Sequence, residues 1–265
     1  MANSMKYFIG NWKMFGIPKS INIVNKINIF VKSDKKYNRK YKVIITPPYT
    51  LLESYSKIFK KKSVSIGSQN CYYKDNFGSN TGAVSPYMIK KLNAKYVIIG
   101  HSDNRAEGDN DVMLKNKVTF ALKNKLKVIF CIGENKKERL NKLTSQTLKK
   151  QLSKVLEKKL NKNNIIVAYE PIWSIGTGKI PTSSDLSKTV KFIKKVLNNI
   201  FKTKKSIKVL YGGSVDSSNI NQFRSLNEID GFLIGGASKS SKNFIVFDKS
   251  EDLGIFPVPI DQIGS

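Results

Sequence analysis

Short apolar runs rich in β-branched residues recur along the chain. Longer stretches separate them, in which apolar positions return every third or fourth residue. The runs are YFIGN at 7–11, KVIIT at 42–46, VSIGSQ at 64–69, YVIIGH at 96–101, KVIFCIG at 127–133, IIVAYE at 165–170, KVLYGGS at 208–214 and GFLIGG at 231–236. Continuous runs of this kind suit strands buried on both faces of a parallel sheet. Between them, Ile21, Val24, Ile27 and Phe30, and later Val190, Ile193, Val196, Leu197 and Ile200, predict helices whose other face carries lysines. Eight strand-then-helix units in 265 residues predict an α/β fold, a single-domain (β/α)8 barrel over residues 1–245. A doubly wound open sheet is the alternative. It expects a glycine-rich dinucleotide turn after the first strand, and GNWKMFG does not fit one. Residues 246–265, VFDKSEDLGIFPVPIDQIGS, carry two prolines, four acids and no helical period, and read as an atypical tail of disordered composition.

Composition narrows the function classes. No apolar run reaches the roughly 18 residues of a membrane span, and the first residues, MANSMKYFIGNWKM, lack a signal-peptide layout. Cys71, Cys131 and a lone histidine give neither a disulfide framework nor a zinc-ligand cluster, so a cytoplasmic protein without a bound metal is expected. Lys and Arg number 47 against 19 Asp and Glu, a net charge of +28. Such a balance raises nucleic-acid binding as a possibility. The lysines are dispersed, however, as in KKVLNNIFKTKKSIK, and no recognition-module signature stands out. A positive field can equally steer an anionic substrate.

In a barrel of this kind chemistry gathers where strands end. Asn11 and Lys13 follow the first run, His101, Ser102 and Asp103 the fourth, and Glu170 the sixth. Gly212, Gly213 and Ser214 follow the seventh, and Gly235 and Gly236 the eighth. Each has a plainer reading. Lys13 could be one more solvated lysine, the glycine pairs tight turns, and Glu170 a helix cap, although Pro171 disfavours an immediate helix there. Together, a base, an imidazole, an ammonium and two turns able to present backbone N–H groups suit a carbon acid that carries a phosphate.

In order and spacing, GNWKM, IIGHSDNR, CIGE, AYEPIWSIGTGK, YGGSV and GGAS resemble the triosephosphate isomerase family over about residues 6–245. The resemblance implies interconversion of dihydroxyacetone phosphate and D-glyceraldehyde 3-phosphate through an enediolate, with no cofactor. Glu170 would be the base and His101 a neutral hydrogen-bond donor, the pairing established for this family. Lys13 would add positive charge, Asn11 would orient the oxygens and Asp103 would support Lys13. Backbone N–H groups at Gly176, Ser214, Gly235 and Gly236 would hold the phosphate. Pro171, Trp173, Gly178 and Lys179 would belong to a lid. The family also implies a homodimer, in which the loop carrying Thr81 reaches the partner's Asn11 and the partner's Lys13. A barrel of low or no activity that binds nucleic acid through its basic surface is the alternative.

The chain departs from the family pattern at several positions. Asp103 and Asn104 stand where Glu and Arg are usual, so the support of Lys13 is one methylene shorter and Asp103→Glu is expected to raise kcat. Ser174 replaces the commoner alanine in the lid. Lys239 stands where an apolar residue is usual, either near the phosphate or pointing outward.

Overall fold

The computed structural model describes residues 5–33, 41–216, 218–224 and 226–249. Eight parallel strands close a barrel in sequence order: β1 (Lys6–Asn11), β2 (Tyr41–Thr46), β3 (Ser65–Ser68), β4 (Tyr96–Ile99), β5 (Lys127–Ile132), β6 (Ile165–Tyr169), β7 (Lys208–Tyr211) and β8 (Gly231–Ile234). Closure pairs Tyr7 through Gly10 of β1 with Gly231 through Ile234 of β8. Gly231 has φ 139°, and a Cβ there would meet Tyr7 O at 1.9 Å, so this seam requires glycine. Helices lie outside: α1 (Ile21–Ser33), α2 (Tyr49–Ile58), α3 (Pro86–Lys91), α4 (Ser102–Ala106), α5 (Asp111–Lys123), α6 (Lys136–Leu140), α7 (Thr144–Val155), α8 (Ser183–Phe201), α9 (Asn221–Arg224) and α10 (Ser241–Lys249).

The apolar runs are continuous because both strand faces are buried. Ile9, Ile44, Ile98, Ile129, Cys131, Ile166, Ala168, Leu210 and Leu233 fill the barrel interior. Their neighbours Phe8, Val97, Ile99, Val128, Phe130, Val167 and Val209 face the helices. On α8, Leu186, Val190, Ile193, Val196, Leu197 and Phe201 are buried; Thr182 caps its start by accepting from Asp185 N–H. Ile200, expected in that stripe, is only partly buried. From β3 to β8 each strand stops one to three residues short of the end of its predicted run. Gly100 turns to φ 76° after Ile99, and the chain leaves the sheet at Gly212, so His101 and Ser214 stand in loops at the barrel mouth.

Among the described residues no helix is long and apolar enough to cross a membrane, and no His/Cys/Asp/Glu group could hold a metal. Both cysteines are buried free thiols. The last described helix, α10, packs against α1 and runs past residue 246 to Lys249. The rest of the expected tail, 250–265, lies outside the described residues.

Candidate active site

Asn11 is the last residue of β1, and its side chain shapes the backbone at Lys13. Its Oδ1 accepts from Lys13 N–H at 3.1 Å. Gln69 Nε2 donates to Lys13 O at 2.9 Å and to Thr46 O at 2.8 Å. Trp12 between them is fully buried and donates its indole N–H to Ser238 O at 3.0 Å. These ties hold Lys13 at φ 54°, a left-handed conformation that costs a non-glycine residue about 1–2 kcal/mol. Lys13 Nζ lies 3.2 Å from Asp103 Oδ2. Asp103, one methylene shorter than the usual Glu, thus stands within ion-pair distance of Lys13.

His101 caps α4. Its Nδ1 accepts from Asp103 N–H at 3.1 Å. A backbone amide only donates, so Nδ1 carries no proton and the ring proton sits on Nε2. Nε2 lies 3.2 Å from Glu170 Oε1, with both side chains buried. Burial pushes the Glu170 carboxyl above its ordinary range. His101, the Cys131 thiol, Lys13 and the Ser102 N–H oppose that shift. The backbone around Glu170 is tight: a Cβ at Gly133 would lie 1.7 Å from Glu170 O, and one at Gly212 would lie 2.9 Å from Glu170 Cγ.

Asn11, Lys13, His101, Glu170, Gly176, Ser214, Gly235 and Gly236 all line one cavity of about 340 Å³ at the mouth. A Cβ at Gly235 or Gly236 would meet nothing within 4 Å, so open space faces that backbone. Lys239 is not part of this lining. Its ammonium rests over the Phe15 ring, 5.2 Å from the centroid. Thr81 is exposed in the excursion between β3 and α3.

Pro171 through Pro181 form a loop beside the cavity. Gly176 and Gly178 take φ 70° and 71°. Trp173 donates to Glu134 Oε1 at 2.9 Å, and its ring is covered by the Arg139 guanidinium at 4.3 Å. Tyr169 OH donates to the same Glu134 oxygen at 3.1 Å. Ser174 is fully buried. Its hydroxyl donates to Lys179 O at 2.5 Å, which leaves its lone pairs to accept from Tyr211 OH at 3.4 Å and from Ser214 N–H at 3.3 Å. Burial pushes the Tyr211 hydroxyl up to about 12, so it keeps its proton.

Glu134 and Tyr211 are absent from the sequence-based assignment. The CIGE motif ends in Glu134 and was a signal for it. Nothing in the chain pattern pairs Ser174 with Ser214.

A closed β/α barrel that sets a buried carboxylate against a neutral imidazole, beside an ammonium and open glycine backbone, defines an acid–base isomerase. The family model described as triosephosphate isomerase matches residues 6–250. Triosephosphate isomerase of Dictyoglomus thermophilum is 38% identical over 244 residues, covering 90% of this chain and 96% of that one. That of Bartonella bacilliformis is 36% identical over 248 residues, covering 92% and 96%. The crystal structure of triosephosphate isomerase from Bartonella henselae superimposes with a TM-score of 0.83 at 33% identity, covering 91% of this chain and 97% of that one. The chain belongs to the triosephosphate isomerase family.

Proposed function

We propose that the protein interconverts dihydroxyacetone phosphate and D-glyceraldehyde 3-phosphate with Glu170 as the base. Its carboxylate takes the proton from the carbon beside the carbonyl. The C–H electron pair becomes the double bond of an enediolate as the carbonyl π electrons move onto oxygen. A proton then passes from one enediolate oxygen to the other, and the same carboxyl returns its proton to the neighbouring carbon. Such a proton is too weakly acidic for a carboxylate alone, so the growing negative charge on oxygen must be met as it forms. His101 donates from Nε2, Lys13 supplies a fixed positive charge and Asn11 orients the oxygens. Asp103 positions Lys13. The observation that carries this reading is the 3.2 Å approach of His101 Nε2 to Glu170 Oε1, with Nδ1 occupied by Asp103 N–H.

The phosphate is assigned to N–H groups at Gly176, Ser214, Gly235 and Gly236. The segment containing Pro171, Trp173, Gly178 and Lys179 acts as a lid that excludes water from the enediolate. The protein works as a homodimer in the cytoplasm, with Thr81 at the interface. Support comes from apolar side chains left in solvent nearby in sequence: Met14 is 98% exposed and Phe77 is 75% exposed. A coupled assay of glyceraldehyde 3-phosphate isomerisation tests the reading. Turnover no greater than that of Glu170→Gln would end it.

A further inference from the structure

The rim opposite the mouth gathers positive charge. Parallel strands place all their starts at one end of the barrel, and, besides Lys6, whose ammonium donates to Ile229 O at 2.9 Å, six more lysines stand near those starts. They are Lys42 on β2, Lys95 before β4, Lys127 opening β5, Lys162 before β6, and Lys205 and Lys208 at β7. A cavity of about 220 Å³ is lined by Lys127, Lys162, Lys205 and Lys208, with Tyr7 and Asn164 among its other walls.

Little there neutralises the ammonium groups. Among the described residues only Lys208 of the six has an ion pair, with Asp230 at 2.9 Å. Asp230 is already engaged by Lys194 at 2.7 Å and by Val209 N–H at 3.0 Å. Lys162 has a neutral partner, Thr203 Oγ1 at 2.6 Å. Lys127 lies 5.7 Å from the Tyr96 ring centroid. Burial, and then the charges of Lys95 and Lys127, lower the pKa of Lys42, so these three lysines crowd one another. A like-charged cluster opposes the compact state until an anion joins it.

We infer that this rim binds a compact, multiply charged oligophosphate of about triphosphate size, at the end of the barrel opposite the isomerase site. Four of the lysines, Lys127, Lys162, Lys205 and Lys208, wall one recess rather than follow a track. The aromatic side chains beside them, Tyr7 and Tyr96, are half-buried and buried. They offer no platform for the stacked bases of a single-stranded nucleic acid. The isomerase mouth meets a phosphate mainly with backbone N–H groups, whereas this rim meets one with ammonium groups.

Calorimetric titration with inorganic triphosphate at low ionic strength tests the inference, with dihydroxyacetone phosphate present at saturation to fill the mouth. One saturable site is expected to persist under those conditions. It should weaken about tenfold or more in the Lys127→Glu, Lys205→Glu double variant, whose isomerase turnover stays that of the parent. If that variant does not fold, the Lys127→Gln, Lys205→Gln pair is expected to weaken binding about threefold. A parallel titration with a nucleoside triphosphate reads the source. Equal affinity assigns recognition to the phosphates alone, and tighter binding adds the nucleoside. Triphosphate binding that the substrate abolishes, or that both double variants retain in full, overturns the inference. So does retardation of an RNA oligonucleotide without a saturable triphosphate site.

Discussion

Ser174→Ala separates two things that one hydroxyl does. In the structure Ser174 Oγ accepts from Ser214 N–H at 3.3 Å, and that N–H is one of the four assigned to the phosphate. Substrate therefore has to take the donor from the lid. A hydrogen bond of this kind is worth about 1 kcal/mol net, so freeing the amide in advance should lower KM about fivefold. The same substitution strips the fully buried Tyr211 OH of its partner, which costs about 1–3 kcal/mol of stability. Lys179 is exposed, so its carbonyl turns to water at little cost. Tyr211→Phe is the control, because it removes a donor to Ser174 and leaves the Ser174–Ser214 contact in place. Its stability should change and its KM should not. Steady-state kinetics and urea unfolding read both effects. A Ser174→Ala enzyme that is less stable but has unchanged or higher KM would refute the competition and leave Ser174 a structural residue.

Further outcomes rest on the same geometry. Glu170→Gln should lose about 10²–10⁴-fold in kcat. Because burial raises the Glu170 pKa above 4.5, kcat/KM of the parent should fall on the acid side with a midpoint above that value. The sign for stability is the reverse of the usual carboxylate. A carboxyl whose folded pKa exceeds its unfolded one opposes folding above both values, and the opposition vanishes below about 4.5. Glu170→Gln should therefore raise Tm at neutral pH, with the gain fading toward acid; a Tm that falls at neutral pH would contradict this. Asp103→Ala should cost no more than about fivefold in kcat, since the Lys13–Asp103 pair is 34% and 55% exposed and such pairs are worth about 0.2–1 kcal/mol. Asp103 already reaches Lys13, so Asp103→Glu should change kcat by no more than that factor, which steady-state assays of both variants check. Arg105→Ala should lower unfolding free energy by about 2–4 kcal/mol in urea, because the guanidinium bonds Gly100 O at 2.8 Å and Cys131 O at 3.0 Å and ties β4 to β5 below the site.

The barrel was legible because burial on both strand faces leaves a plain mark, an apolar run without alternation. Its eight runs fall on the eight strands. The residues at the mouth were legible because they come directly after those runs. Partnerships across the chain were not. Asp103 was read by side-chain length alone, and that measure did not show its 3.2 Å approach to Lys13. Ser174 and Ser214 lie 40 positions apart and meet only when the lid packs on the loop after β7. The lysines were read as dispersed over outer helix faces, and a linear view could not show that those at strand starts share one rim.

The seam between β1 and β8 has a consequence for how the molecule comes into being. Asn11 and Lys13 enter synthesis first, whereas Gly235 and Gly236 come last of the mouth residues. A growing chain that has made β1 through β7 holds a carboxylate, an imidazole and an ammonium but keeps two unpaired sheet edges. Gly231 must emerge and slide against Tyr7 before those edges vanish. Structural closure and the last two glycines thus arrive within a few residues of each other. A ribosome-bound intermediate shorter than this is sticky and inert together, and one event during translation removes both conditions.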